Sequence, residues 1–213
     1  MADELRTAFR RDLRSIDQQV TQLFALVADG LAGATEAFLA DDREAAGALV
    51  KRDNMLDALH RDIDEAVLRA ITLQAPVADD LRYLLSVLRI VPELERSGDL
   101  AKHIARRAQQ GLATTITPRA RGLVDQMGRI GVEMWQAALD AYTERDGAVA
   151  ERLDRRDEEL DELHASLSAE LASGALSVPV AIEMALVARF YERLGDHAVN
   201  VARRMRYLDT GGL

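Results

Sequence analysis

The segment Glu95-Arg96-Ser97-Gly98-Asp99 returns near the other end of the chain as Glu192-Arg193-Leu194-Gly195-Asp196. Each copy runs on into Ala and then Ala-Arg-Arg: Ala101 and Ala105-Arg106-Arg107, against Ala198 and Ala202-Arg203-Arg204. A recurrence of this length implies one structural unit built twice. It also means that a carboxylate pair is presented twice, in the same local setting.

A second internal match supports the duplication. Arg52-Asp53 with Leu56-Asp57 and Leu59-His60 reappears as Arg156-Asp157 with Leu160-Asp161 and Leu163-His164. Almost every segment between and around these motifs places apolar residues three and four apart, the spacing of amphipathic helix. Aromatics are only 4% of the chain and prolines number four, while Ala, Leu, Arg, Asp and Glu dominate, which favours long helices over sheet. Breakers divide the pattern into six helices. Asp41-Asp42 interrupts the first, and Ala75-Pro76 ends the second, with Pro76 suited to the first turn of the third. Gly111 to Pro118 is the clearest linker, with Thr117 as N-cap. Asp146-Gly147 separates the fourth and fifth helices, Ser173-Gly174 through Val178-Pro179 precedes the sixth, and Gly211-Gly212 closes the chain. The expectation is all-α: two tandem three-helix bundles, residues 1–112 and 117–213.

Each half carries Asp-x-x-x-Asp on its second helix and Glu-x-x-x-Asp on its third. The motifs are 42 residues apart in the first half (Asp53 to Glu95) and 35 in the second (Asp157 to Glu192), a difference of about two helical turns. Whole turns preserve the facing of the motifs. Residues four apart lie on one helix face, so each motif sets two anions side by side at a cost of roughly 0.2–0.5 kcal/mol. A cation is the direct means of offsetting that cost, and oxygen-only clusters suit hard or borderline ions. Leu49, Leu56, Leu59 and Ile63 form the core stripe of the second helix; Leu84, Val87, Val91 and Leu94 form that of the third. The acidic pairs fall at the flanks of these stripes, along the seam between the helices. Gly98 and Gly195 permit close backbone approach there. Acidic pairs at Asp140/Glu144, Asp154/Glu158 and Glu158/Glu162 are ordinary solvated faces by comparison. His60, His164, His103 and His197 lie close to the motifs and read singly as satisfied or solvent-facing. Trp135, Tyr142, Tyr191 and Met184 read as core. Arg106-Arg107 and Arg203-Arg204 fall near helix ends, where they complement the helix dipole in preference to forming a basic patch for a partner.

The formal charge of −9 argues against a general nucleic-acid binder. Without cysteine there are no disulfides, thiol nucleophiles or thiolate metal sites. The N-terminal segment lacks the basic and apolar regions of a signal peptide, and no apolar run is expected to be long enough to cross a bilayer, so the expected location is the cytoplasm.

Glu192-Arg193-Leu194-Gly195-Asp196-His197-Ala198-Val199-Asn200-Val201-Ala202 resembles the signature of the PhoU family of phosphate-uptake regulators. Pro76-Val77-Ala78-Asp79-Asp80-Leu81-Arg82 resembles the segment that opens the third helix of the first half in that family. The similarity covers nearly the whole chain. The resemblance implies two three-helix bundles related by a pseudo-two-fold axis. It implies negative regulation of phosphate uptake by an adaptor, not an enzyme, between a phosphate ABC transporter (its ATPase subunit) and a sensor histidine kinase. A homodimer is expected, with no nucleic-acid partner and no membrane insertion. Family members bind metal through paired acidic motifs; the matching positions are Asp53, Asp57, Glu95 and Asp99, and Asp157, Asp161, Glu192 and Asp196. Iron, manganese, magnesium or zinc would serve. The first copy departs from the pattern: Leu100-Ala101-Lys102-His103 stands where the second has His197-Ala198-Val199-Asn200, so a lysine adjoins the first site. Two other readings compete. Asp57-x-x-His60 and Asp161-x-x-His164, with Glu95 and Glu192, imitate a ferritin-like di-metal carboxylate enzyme. A plain helical interaction module with solvated acids is the other. No catalytic residue is proposed.

Overall fold

The computed structural model describes the backbone of residues 2–210 and their side chains except those of 2–5, 53, 209 and 210. The order is α1 (Ala2–Ala40), α2 (Arg43–Gln74), α3 (Ala78–Gln109), a 3-10 turn (Leu112–Thr115), α4 (Pro118–Glu144), α5 (Val149–Ala172) and α6 (Val178–Thr210). There is no strand among the described residues.

Local chemistry explains most boundaries. Asp42 caps α2, its Oδ1 accepting from the Ala45 N–H at 2.9 Å. Thr117 caps α4 in the same way, accepting from the Ala120 N–H at 3.0 Å, with Pro118 opening the helix. Asp41, Ala75 and Arg145 end α1, α2 and α4 in the left-handed region, with φ of 53°, 44° and 59°. One boundary differs from expectation. Pro76 lies outside α3, because Val77 is extended (φ −128°, ψ 163°) and acts as N-cap, and the helix begins only at Ala78. Conversely Pro179 falls within the first turn of α6, where its missing N–H breaks no helical bond. Gly211-Gly212 lies outside the described residues.

The packing is that of two related bundles. Helix α2 packs on α1 and α3, and α5 packs on α4 and α6, while α1 meets α4 and α3 meets α6. Equivalent helices therefore face each other across the join, as a pseudo-two-fold axis requires, and α2 and α5 are left outermost. The core stripe read for the third helix (Leu84, Val87, Val91, Leu94) is fully buried, as are Met184, Trp135, Tyr142 and Tyr191. Phe24 stands between repeats, its ring 6.2 Å from Trp135 and 5.1 Å from Tyr142.

Helix α1 corrects one point. By length and composition its stretch Arg6–Ala40 is apolar enough to cross a membrane. Its large apolar residues, however, are the core itself: Val20, Leu23, Phe24, Val27, Leu31 and Phe38 are all fully buried against the other helices.

Candidate metal centres at the outer-helix seams

In the second repeat, α5 brings Asp157 and Asp161 to the seam and α6 brings Glu192 and Asp196. Leu160 and Leu194 are fully buried beside them and hold the two helices together. The close approach depends on Gly195. A Cβ there would stand 2.4 Å from Asp157 Oδ1 and 2.8 Å from Leu160 Cδ2. The α5 carboxylate therefore lies against the α6 backbone, half out of water and among other acids. Burial, then the charges of Asp196, Asp161, Glu192 and Asp154, push the Asp157 carboxyl up to about 7. Glu192 is also pushed up, first by burial and then by Asp196, with Arg189 opposing. The Arg189 guanidinium donates to Glu192 Oε1, while Glu192 Oε2 is buried with no hydrogen-bond partner. An orphaned carboxylate oxygen beside a carboxyl that resists ionising marks a place short of positive charge.

The first repeat is built alike but compensated from within. At Gly98 a Cβ would stand 2.3 Å from Leu56 Cδ1, so here too a glycine makes the room in which a side chain of the outer helix lies against the inner one. Asp57, Glu95 and Asp99 are partly buried at the seam; the Asp53 side chain lies outside the described residues. Burial and then Asp99 push Glu95 up, with His60 and Arg96 opposing. Here Lys102 Nζ stands 3.0 Å from Asp99 Oδ1, where the second repeat has Val199. Each cluster thus carries one cation, Lys102 on Asp99 in the first and Arg189 on Glu192 in the second, but of the described acids in the two clusters only Glu192 keeps a buried oxygen without a partner. Among the described residues no three acidic or histidine side chains converge at ligating distance, so each centre is an open array of carboxylates.

The histidines divide. His60 Nε2 lies 3.3 Å from Asp64 Oδ2, and His103 stacks on Phe190 with ring centroids 5.3 Å apart. His197 is buried and its Nδ1 lies 2.5 Å from Glu93 Oε2 on α3, a bond between repeats with no signal in the sequence. Arg189, three residues before Glu192, is the i,i+3 partner whose spacing is the one sequence signal for this pair. Arg106-Arg107 do occupy the last turn of α3. Arg203-Arg204 do not end α6, which continues to Thr210, so the dipole reading fails for that pair.

The PhoU domain profile matches this chain twice, over residues 20–108 and 124–205. The phosphate-specific transport system accessory protein PhoU homolog 1 of Mycobacterium leprae is 31% identical over 97% of this chain and 95% of its own length. The corresponding protein of Rhizobium meliloti is 31% identical over 97% of this chain and 89% of its own length. The crystal structure of PhoU from Pseudomonas aeruginosa superposes with a TM-score of 0.89 at 29% identity, covering 96% of this chain and all (100%) of that one. The phosphate transport system regulatory protein PhoU from Streptococcus pneumoniae gives 0.85 at 25% identity, covering 96% and 98%. With the duplicated fold and both halves matched, the chain belongs to the PhoU family.

Proposed function

We propose that this protein is a cytoplasmic regulatory accessory protein of a phosphate-specific transport system. In this reading it is a negative regulator that links the transporter's ATPase subunit to a sensor histidine kinase, and it works as a homodimer. Relatives matched over nearly their full length carry the names of transport accessory and regulatory proteins, which supports the transport role. The observation that supports a metal-dependent mode of action is the α5/α6 seam, where Glu192 Oε2 is buried without a partner beside Asp157.

The donor set there fits a metal ion. Asp157, Asp161, Glu192 and Asp196 would hold it, and iron, manganese, magnesium or zinc would supply the positive charge that the cluster lacks. Arg189 holds Glu192 Oε1 and so leaves Oε2 as the available ligand atom. Asp157 would give up its proton to serve as a ligand. Because Asp157 and Asp161 sit on the outermost helix and Glu192 and Asp196 on α6, their joint engagement ties α5 down. A partner that docks on this face then meets one arrangement of α5 in preference to another, which is the differential binding that any switch requires. Asp57, Glu95 and Asp99, with Asp53 as the fourth position that the repeat assigns, would make the matching but weaker centre, because Lys102 Nζ already lies 3.0 Å from Asp99 Oδ1 and no buried carboxylate oxygen of the described three is orphaned there.

The ferritin-like alternative is disfavoured by placement. A di-metal oxidase draws its ligands into the middle of one four-helix core, whereas these acids lie in two separate seams, α2/α3 and α5/α6, on opposite repeats.

The test has two arms. Metal content is measured after purification without added metal and again after reloading, for wild type and for Glu192→Ala/Asp196→Ala. The double variant is expected to hold less metal and to lose phosphate-dependent repression; full metal binding by it refutes the site. Pull-downs from phosphate-replete and phosphate-starved cells, compared between the two proteins, test the transporter and kinase contacts.

A further inference from the structure

The α3/α6 seam joins the repeats, and the pseudo-two-fold relation gives it two equivalent sides that have diverged. On one side Phe190 of α6 fills the groove. His103 stacks on it with centroids 5.3 Å apart, Arg107 lies 5.0 Å over its ring, and Arg107 also reaches Glu183 Oε2 at 3.1 Å. On the other side the position matching Phe190 is Glu93, and the position matching Leu186 is Arg89. There the groove is open: a cleft of about 530 Å³ lined by Arg89, Glu93 and Arg96 of α3 and by Asn200, Arg203 and Arg204 of α6.

Four guanidiniums thus share one concave surface with a single carboxylate, in a chain whose net charge is −9. That carboxylate is already engaged at both oxygens. Arg96 Nη1 lies 3.3 Å from Glu93 Oε1, and His197 Nδ1 lies 2.5 Å from Glu93 Oε2. Arg203 Nη2 pairs with Asp154 Oδ1 at 3.1 Å. Arg89 and Arg204 have no carboxylate partner among the described residues. Like charges gathered in a concavity without counter-charge repel one another, and an anion removes that repulsion. The planar guanidinium fork matches tetrahedral oxyanions with paired N–H donors.

We propose that this cleft binds a phosphoryl dianion between the two repeats, with the unpaired guanidiniums of Arg89 and Arg204 as its main ligands. Arg96 and Arg203 add charge from their existing pairs. The choice of phosphate over other oxyanions rests on the phosphate-transport reading above; the site rests on the arginines. It also has a route to the fold. Arg96 is shared with Glu93, and Glu93 holds His197 of α6, so an anion that draws on Arg96 acts on a bond between repeats. The ligand is free inorganic phosphate or a phosphoryl group on a partner protein, and these are separable by experiment.

Calorimetric titration of chelator-treated, metal-free protein at pH 8, at low and physiological salt, uses inorganic phosphate in one arm. A phosphoserine peptide and its unphosphorylated form make up the other. Saturable binding is expected, falling about tenfold or more in Arg89→Gln/Arg204→Gln. Arg106→Gln, the counterpart of Arg203 on the filled side, is expected to bind as wild type does. Binding of phosphate assigns the free ion, and binding of the phosphopeptide alone assigns a phosphorylated partner; both support the cleft. No saturable binding, equal binding of the unphosphorylated peptide, or binding unchanged in the double variant overturns it. Circular dichroism checks that the variants fold. If the glutamine pair does not, Arg89→Lys/Arg204→Lys, which keeps the charge and loses the fork, is expected to weaken binding in its place. Because no metal is present, failure here leaves the test of the carboxylate centre independent.

Discussion

Replacing Asp157 with Asn keeps the shape that lies against Gly195 and removes the charge of a carboxylate that feels four other acids. The folded-state pKa of Asp157 is raised from 3.8 to about 7, so the folded protein holds this proton more tightly than the unfolded chain does. For an acid shifted upward, stability is fully present below the unfolded pKa, declines as pH rises, and is lost once pH passes the folded pKa, here about 7. At about 1.4 kcal/mol per unit, the unscreened penalty above that pH is about 4 kcal/mol. Asp157 is partly open to water, and solvent screening reduces this to about 1–2 kcal/mol. In metal-free protein at pH 8, Asp157→Asn is therefore expected to raise Tm by roughly 2–8 °C. Scanning calorimetry in chelator at pH 8 and pH 5 checks it: the gain should shrink at the lower pH, where the wild-type carboxyl is already protonated. With saturating metal the order should invert, because binding stabilises the form with the better ligand. A Tm at pH 8 equal to or below wild type in chelator would refute the reasoning, as would a gain independent of pH.

Other perturbations test neighbouring features. Lys102→Ala removes the ammonium 3.0 Å from Asp99 Oδ1; on a Glu192→Ala/Asp196→Ala background, equilibrium dialysis with manganese should show tighter uptake, and unchanged uptake counts against Lys102 as the internal cation. Gly98→Ala would set a Cβ 2.3 Å from Leu56 Cδ1. Overpacking of about 1–3 kcal/mol, less about 1 kcal/mol of helix propensity, leaves a net loss of about 1 kcal/mol and a Tm lower by roughly 2–4 °C; a rise would mean that α2 and α3 have room to spare. Tyr191→Phe deletes a buried 2.8 Å hydrogen bond to Thr35, whose own hydroxyl donates to the Leu31 carbonyl. A loss of about 1 kcal/mol is expected in urea unfolding, and an unaltered midpoint would show that the bond contributes nothing.

Much of this was legible along the chain, because the signals were local. Helix identity, the cap at Thr117 and the acidic pairs all depend on residues three or four apart. A linear pattern records such spacings directly. The internal repeat then paired the helices across the two halves, and the Lys102 departure already distinguished the first acidic cluster from the second. Pro76 was misplaced by two residues because a proline marks a break without saying on which side of it the next helix begins. Arg203-Arg204 reads as lying near a helix end because it resembles its counterpart in α3, which occupies the last turn there, whereas α6 runs on to Thr210. The apolar length of α1 carried no label distinguishing a membrane span from a core helix; its neighbours supplied it.

By itself, then, the sequence determined the helices, their duplication and which carboxylates lie together on each helix face. These follow from covalent spacing and the helical period. Tertiary packing decided what those faces meet. It pressed Asp157 onto the α6 backbone, left Glu192 Oε2 without a partner, and joined Glu93 to His197. It also filled one side of the α3/α6 seam with Phe190 and left arginines lining the other. Each of these depends on distance through space between residues far apart in the chain, and burial and charge act through that distance.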